Sequence, residues 1–174
     1  MDLSEAINLI RYDGLFQENK AAWADLGSGS GLFTYALASL LPTGSVIYAV
    51  DQQAVVLSQL PNPKNTVIRQ QQANFITDEL QLPRLDGILM ANSLHFVKDK
   101  IALIKKLGAY LKENSSFLIV EYDTEVANRW VPFPVSYHKL KLLFEEAGYT
   151  QVIKLQEKPS LYGRANLYAV YVSK

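Results

Sequence analysis

Residues Ala24 to Gly31 read Ala-Asp-Leu-Gly-Ser-Gly-Ser-Gly, and Asp51 closes a second apolar run, Val46 to Val50, twenty positions after the last of those glycines. Glycines between a buried strand and a helix let a ligand lie against bare backbone, and a carboxylate at the tip of the next strand can accept hydrogen bonds from both hydroxyls of a ribose. The pairing predicts that the chain holds a nucleoside. A dinucleotide fingerprint needs Gly-x-Gly-x-x-Gly, but here the third glycine comes one position early and Leu32 stands in its place. Asp25, just ahead of the turn, would also repel a pyrophosphate. A second chemical group is His95, whose ordinary pKa of about 6.5 suits a general base. The competing reading of His95 is structural: packing, or capping the helix that Asp99 opens. His138 falls in a helix and is expected at the surface.

Elements of alternating character must position these groups, and they predict a mainly parallel sheet covered on both faces. Asp2 caps a first helix with Glu5 in the reciprocal position, and Leu3, Ala6, Ile7 and Ile10 form its apolar stripe. Strands are expected at Ala21 to Leu26, Val46 to Val50, Thr66 to Arg69, Leu85 to Ala91 and Ser116 to Glu121. The helix from Leu32 to Leu41 is apolar nearly all round and is expected to be buried, a short helix is expected from Ala54 to Gln59, and Asp99 caps a helix to about Leu111. Lys100, Lys105, Lys106 and Lys112 read as its solvated outer face. Ser136 opens a helix that ends at Gly148. The runs Thr150 to Leu155 and Asn166 to Val172 are then separated by too few residues for a helical crossover, so they form an antiparallel hairpin. No repeat, low-complexity stretch or linker interrupts the chain, and one domain over 1–174 is expected, with an N-terminal helix and cap in 1–16 and the core sheet in 21–174.

Composition excludes several classes. With 174 residues and 49% hydrophobic content, the chain can bury one sizeable core, so a cofactor and a substrate must share one sheet. Seventeen basic residues balance seventeen acidic ones, which leaves no net field to draw in nucleic acid. The absence of cysteine removes disulfides and thiolate nucleophiles, and no metal site is expected. No apolar run approaches a membrane span, and the acidic start does not resemble a signal peptide. A cytoplasmic protein without membrane contact is the expectation.

An acidic residue ending the first strand, then Gly27-Ser28-Gly29-Ser30-Gly31, then Asp51 ending the second, resembles the class I S-adenosylmethionine-dependent methyltransferases. The closing hairpin supports the likeness over nearly the whole chain. It implies an α/β, single-domain three-layer sandwich: a mostly parallel, Rossmann-like, seven-stranded sheet whose last strand inserts antiparallel. It also implies an enzyme that uses S-adenosylmethionine and releases S-adenosylhomocysteine.

The resemblance assigns roles. Asp25 faces the ligand's ammonium; Gly27 and Gly29 lie where side chains would collide with the ligand, and Ser28 between them belongs to the cofactor-binding set; Gly31 lets the helix pack on the sheet; Asp51 takes the ribose hydroxyls with help from Gln52. Asn74 and Phe75 sit at the adenine, Asn74 in a position where relatives often carry an acid, and Asn92 and Ser93 lie beside the methyl group with His95. For Asn74 and Phe75, a polar turn residue and a core aromatic are equal alternatives. The segment from Glu121 to Pro134 is expected to rim the acceptor, with Arg129, Trp130 and Phe133 offering flat apolar surface beside a cation, joined by Tyr162 and Arg164 from the hairpin; covering the sheet edge is its other reading. The acceptor, unidentified, is expected to be small and partly apolar. The chain has little to build over the site, which suits a large acceptor or completion by a second subunit as a homo-oligomer. An inactive cofactor-binding partner subunit and an NAD-dependent oxidoreductase are the alternative functions.

Overall fold

The structure, a computed structural model, describes residues 1–15, 19–54, 56–159 and 165–174. Asp2 and Glu5 form the expected reciprocal cap, Asp2 Oδ1 accepting from Glu5 N at 2.8 Å and Glu5 Oε2 accepting from Asp2 N at 3.0 Å, and they start α1 (Leu3–Ile10). Then follow β1 (Ala22–Leu26), α2 (Leu32–Leu40), β2 (Val46–Asp51), β3 (Val67–Gln72), β4 (Leu85–Ala91), α3 (Lys100–Gly108), β5 (Leu111–Tyr122), α4 (Tyr137–Glu146), β6 (Gln151–Pro159) and β7 (Asn166–Ser173). The strands form one seven-stranded sheet in the order β3-β2-β1-β4-β5-β7-β6. All pairs are parallel except those of β7, which runs antiparallel between β5 and β6. The short connection between the last two strands forces this, since only an antiparallel partner can be reached so quickly.

Two cores lie on the two faces. Ala6, Ile10, Phe33, Leu37 and Ile47 pack α1 and α2 on one side; Leu103, Leu107, Phe117, Leu140 and Phe144 pack α3 and α4 on the other. Chain order reverses between β1 and β4, the topological switch point at which open α/β sheets bind their ligands beyond the carboxyl ends of the strands. No helix among the described residues is long and apolar enough to cross a membrane.

The structure departs from expectation in three places. Residues 54 and 56–60 are not helical; Ser58 N instead donates to Ser30 O at 2.9 Å and Leu57 lies against Gly31, so the glycine turn competes successfully for this backbone, and Pro61 denies the segment room to propagate a helix. The helix from Asp99 stops at Gly108, and β5 begins at Leu111, extending ahead of its apolar stretch because Leu85 N finds Tyr110 O there at 2.8 Å. Lys105 is exposed as expected, but Lys100 and Lys106 spend their charge on backbone carbonyls and Lys112, in β5, pairs with Asp86 at 2.9 Å.

Gly87, in the middle of β4, faces the Trp23 indole, and a methyl group there would overlap ring atoms of a buried side chain. Replacing Gly87 with Ala should destabilise the fold by about 1–3 kcal/mol, read as a lowered urea midpoint with an unchanged slope.

Candidate functional site

The glycine turn hooks over the end of β2. Gly27 N and Ser28 N both donate to Val50 O, at 2.8 and 3.1 Å, and Gly31 N donates to Ser28 O at 2.9 Å. The path requires φ of +82° at Gly27, +49° at Gly29 and +90° at Gly31, a region that side-chain-bearing residues seldom adopt. Gly31 is the left-handed N-cap of α2 and faces Leu57, so its backbone conformation, rather than helix-to-sheet packing, is what demands glycine. A side chain at Gly27 would strike Ser93, a neighbour within the protein. A Cβ added at Gly29 would meet no neighbour within 4 Å among the described residues, so that side of the backbone is open to a ligand.

Asp51 binds this turn from the next strand. Its Oδ2 accepts from Gly29 N at 3.0 Å and its Oδ1 from Gln53 N at 2.9 Å, which leaves lone pairs on both oxygens for further donors. Ser28, Asp51, Gln53, Val56 and Gln72 line a cavity of about 250 Å³ at this point. Gln52, exposed beside it, accepts through its carbonyl from Gln72 Nε2 at 3.3 Å.

Asp25 closes β1 inside the protein. Its Oδ2 accepts from Thr34 Oγ1 at 2.6 Å, while its Oδ1 is buried without a hydrogen-bond partner among the described residues. Burial raises the carboxyl to about 7, against the pull of the Thr34 hydrogen bond and with a push from the Asp51 charge. Asn92, just past β4, holds a left-handed φ of +54°, and its Oδ1 is also buried without a partner among the described residues. Strain and unsatisfied acceptors together mark a place that a ligand with donors completes. Ser93 is committed inward, its Oγ donating to Leu26 O at 2.6 Å and so tying the ends of β1 and β4 together.

His95 is buried on a single 3₁₀ turn after β4, and Glu121, equally buried at the end of β5, takes both of its donors: His95 N to Oε1 at 3.0 Å and Nδ1 to Oε2 at 2.7 Å. A carboxylate that holds Nδ1–H leaves Nε2 as the basic nitrogen. The Phe96 and Tyr122 rings flank the imidazole at centroid distances of 4.4 and 6.2 Å.

The segment between β5 and α4 is fixed over this pair. Phe133 N donates to His95 O at 3.0 Å, and Lys100 Nζ donates to Phe133 O and to Val97 O, both at 2.7 Å. Lys100 is only 8% exposed, and burial holds its ammonium below the usual lysine range while Glu121 pushes it back up. A lysine at the first residue of a helix opposes the helix dipole, so its position reflects these carbonyls rather than helix stability. Farther along, Asn128 Oδ1 accepts from Trp130 N at 2.8 Å and Val131 N at 3.0 Å, and Tyr168 donates to Val135 O at 2.8 Å. Trp130 is 75% exposed on the resulting rim, with Arg129 over its ring at 5.4 Å.

Asn74 and Phe75 have the local structure of their alternative reading. Asn74 forms a polar turn, its Oδ1 accepting from Ile76 N at 3.0 Å and its N donating to Asp78 Oδ2 at 2.8 Å, and Phe75 is part of the core below Gly27. Lys106 holds this turn through the carbonyls of Phe75, Ile76 and Asp78. Tyr162 and Arg164 lie outside the described residues. The sequence assigns no site role to Thr34 or Lys100 and marks Glu121 only as the start of the rim segment. Glu121 carried a usable signal, an acid closing an apolar strand just as Asp25 and Asp51 do.

Two outcomes test this geometry. The native protein holds on Asp25 a proton that the unfolded chain, with its carboxyl near 3.8, releases; stability therefore falls as pH rises from about 4 to about 7, by at most about 4 kcal/mol. Asp25→Asn should accordingly gain on the wild type across that window in pH-dependent urea unfolding. Lys100→Met should free Phe133 and speed tryptic cleavage after Arg129 by about tenfold, followed by mass spectrometry, if local opening there now costs about 1.4 kcal/mol less.

A family model described as a methyltransferase domain matches residues 24–117, from the strand ahead of the glycine turn to the middle of β5. No curated protein sequence matches the chain. Among solved structures, 1,6-didemethyltoxoflavin-N1-methyltransferase from Burkholderia thailandensis, with 1,6-didemethyltoxoflavin and S-adenosylhomocysteine bound, is similar with a TM-score of 0.70 at 18% identity, over 99% of this chain and 77% of that one. The YcgJ protein of Bacillus subtilis gives 0.68 at 12% identity over 99% and 97%. Human N-acetylserotonin methyltransferase in complex with S-adenosylmethionine gives 0.65 at 19% identity over 98% and 51%. With the family match over more than half of the sequence, and the glycine turn, the strand-ending acids and the antiparallel β7 all in place, the chain belongs to the class I S-adenosylmethionine-dependent methyltransferase family.

Proposed function

We propose that this protein is an active methyltransferase that binds S-adenosylmethionine at the β1–β4 switch point and methylates a small, partly apolar acceptor from which His95 removes a proton. The observation that carries the reading is the buried, unpartnered Asp25 Oδ1 beside a turn whose Gly29 is open to a ligand. An unpaired carboxylate oxygen in that position calls for a cationic donor. The ammonium of an amino-acid-bearing nucleoside meets it, and a pyrophosphate would aggravate it. Asp51 keeps lone pairs for two ribose hydroxyls, and Asn92 Oδ1 offers another acceptor near the ligand's amino-acid end.

S-adenosylmethionine supplies a methyl group already activated on a sulfonium. The protein's tasks are then to orient the acceptor, exclude water and receive a proton. His95 fits the last task, because Glu121 holds its Nδ1 and stabilises the imidazolium that forms when Nε2 accepts a proton. The competing structural role of His95 is answered in part by Asp99, which caps α3 without it by accepting from Ala102 N at 2.9 Å. The exposure of Trp130 and Phe133, on a segment bonded to His95 through Phe133 N, supports a role for them and Arg129 in receiving the acceptor. The small acceptors named with the Burkholderia and human structures support an acceptor of that scale.

Thermal denaturation with S-adenosylmethionine, S-adenosylhomocysteine and NAD tests the cofactor: either sulfur ligand at a hundred times its dissociation constant should stabilise by about 2.7 kcal/mol, whereas stabilisation by NAD alone would refute the assignment. Asp51→Ala should weaken the sulfur ligand by roughly 1.5–3 kcal/mol in calorimetry, since it removes a charged acceptor and frees Gly29. In single turnovers with tritiated S-adenosylmethionine, His95→Gln should retain cofactor affinity and lose about 10²–10⁴-fold in methyl transfer. A fully active His95→Gln protein would remove the base from the mechanism.

A further inference from the structure

Large apolar side chains are exposed unevenly over this surface. Among the described residues nine such side chains are exposed: Met1, Val56, Val67, Ile76, Phe96, Val126, Trp130, Phe133 and Leu142. Six of them, Val56, Ile76, Phe96, Val126, Trp130 and Phe133, lie on the segments that follow the carboxyl ends of β2, β3, β4 and β5. Scattered exposed apolar residues are ordinary, but a collection at one end of the sheet, around the site, has a use.

Phe96, 52% exposed, stacks beside the buried His95 ring and shares a cavity of about 440 Å³ with Ile76. Phe133 is joined to the same histidine through its backbone N–H, and Lys100 holds its carbonyl. These rings are therefore presented on a fixed framework, which lowers the ordering cost of binding a flat partner.

The charges on the β5–α4 segment are already engaged. Glu125 pairs with Lys139 at 2.8 Å and accepts from Ser136, Asp123 accepts from Tyr137 N at 2.9 Å and lies 3.8 Å from Lys154, and Arg129 covers the Trp130 ring. What the segment offers an acceptor is apolar and aromatic surface.

Resting on the methyltransferase reading above, we infer that the acceptor is an extended, predominantly apolar ring system carrying one ionisable hydroxyl or ring N–H, laid against Phe96, Phe133 and Trp130 with that group toward His95. A polar metabolite would leave these rings in water and find few free polar partners on this segment. A fused ring system buries them in proportion to its area, so affinity grows with each added ring.

The test uses the full chain saturated with S-adenosylhomocysteine and titrated with phenol and with 2-naphthol. Trp130 is one of two tryptophans, and the other, Trp23, is buried, so emission quenching reports the rim. 2-Naphthol should bind at least about tenfold more tightly than phenol, and Phe96→Ala and Trp130→Ala should each remove most of that preference when read by calorimetry. Both side chains are exposed, and an unchanged melting temperature will show that the variants are folded. Equal affinity for the two phenols, or wild-type preference in both variants, overturns the inference while leaving the cofactor assignment intact. Failure to bind S-adenosylhomocysteine at all overturns the methyltransferase reading and this inference with it.

Discussion

Three carboxylates buried or half-buried at the carboxyl ends of strands, Asp25 on β1, Asp51 on β2 and Glu121 on β5, impose the constraint on which the rest of the site depends. Removing a carboxylate from water costs several kcal/mol unless donors replace the water, and each acid meets this differently. Asp51 recruits backbone N–H groups and so shapes the glycine turn. Glu121 recruits the main chain and ring of His95, which fixes that residue at the carboxyl end of the sheet. Asp25 is answered only halfway, by Thr34, and its other oxygen has no partner among the described residues. The unmet half is a cost that the protein lessens by holding a proton on this carboxyl, which burial raises to about 7.

Around these acids the connections after the strands are anchored to one another more than to the sheet. Ser93 ties β4 to Leu26, Phe133 is tied to His95, and Lys100 and Lys106 bring ammonium groups to carbonyls that coil segments would otherwise leave poorly paired. Backbone carbonyls in irregular segments near the surface need partners as much as those in strands do, and a long flexible cation can reach two or three at once. The result is a rim of partly exposed aromatic side chains held by main-chain bonds.

Much of the frame was legible in the chain. β4 falls on the residues that its apolar run indicates, the Asp2–Glu5 and Ser136 caps start α1 and α4 where expected, and the short final connection imposes the antiparallel strand. These are local signals: hydrophobic period, cap chemistry and connection length act within a few residues. The segment at 54–60 misled because its helical pattern was real but weak, and the glycine turn, distant in sequence, claimed its backbone through Ser30. The α3 lysines misled for a similar reason. A lysine pattern on a helix reads as solvated until a loop more than thirty residues away brings carbonyls to it, as the loop at Phe133 does for Lys100.

The site divides along the same line. Spacing in the sequence determined that a glycine turn, Asp25 and Asp51 would gather at the ends of adjacent strands, because each closes an apolar strand or opens a helix and parallel strands end together. Only the tertiary structure decided that Asp25 would keep an oxygen unpaired among the described residues and that Glu121 rather than a nearer residue would hold His95. Those outcomes depend on which groups lose water together, and desolvation is a property of the packed neighbourhood, assembled from β1, β4, β5 and the segments between them, that no single stretch of sequence contains.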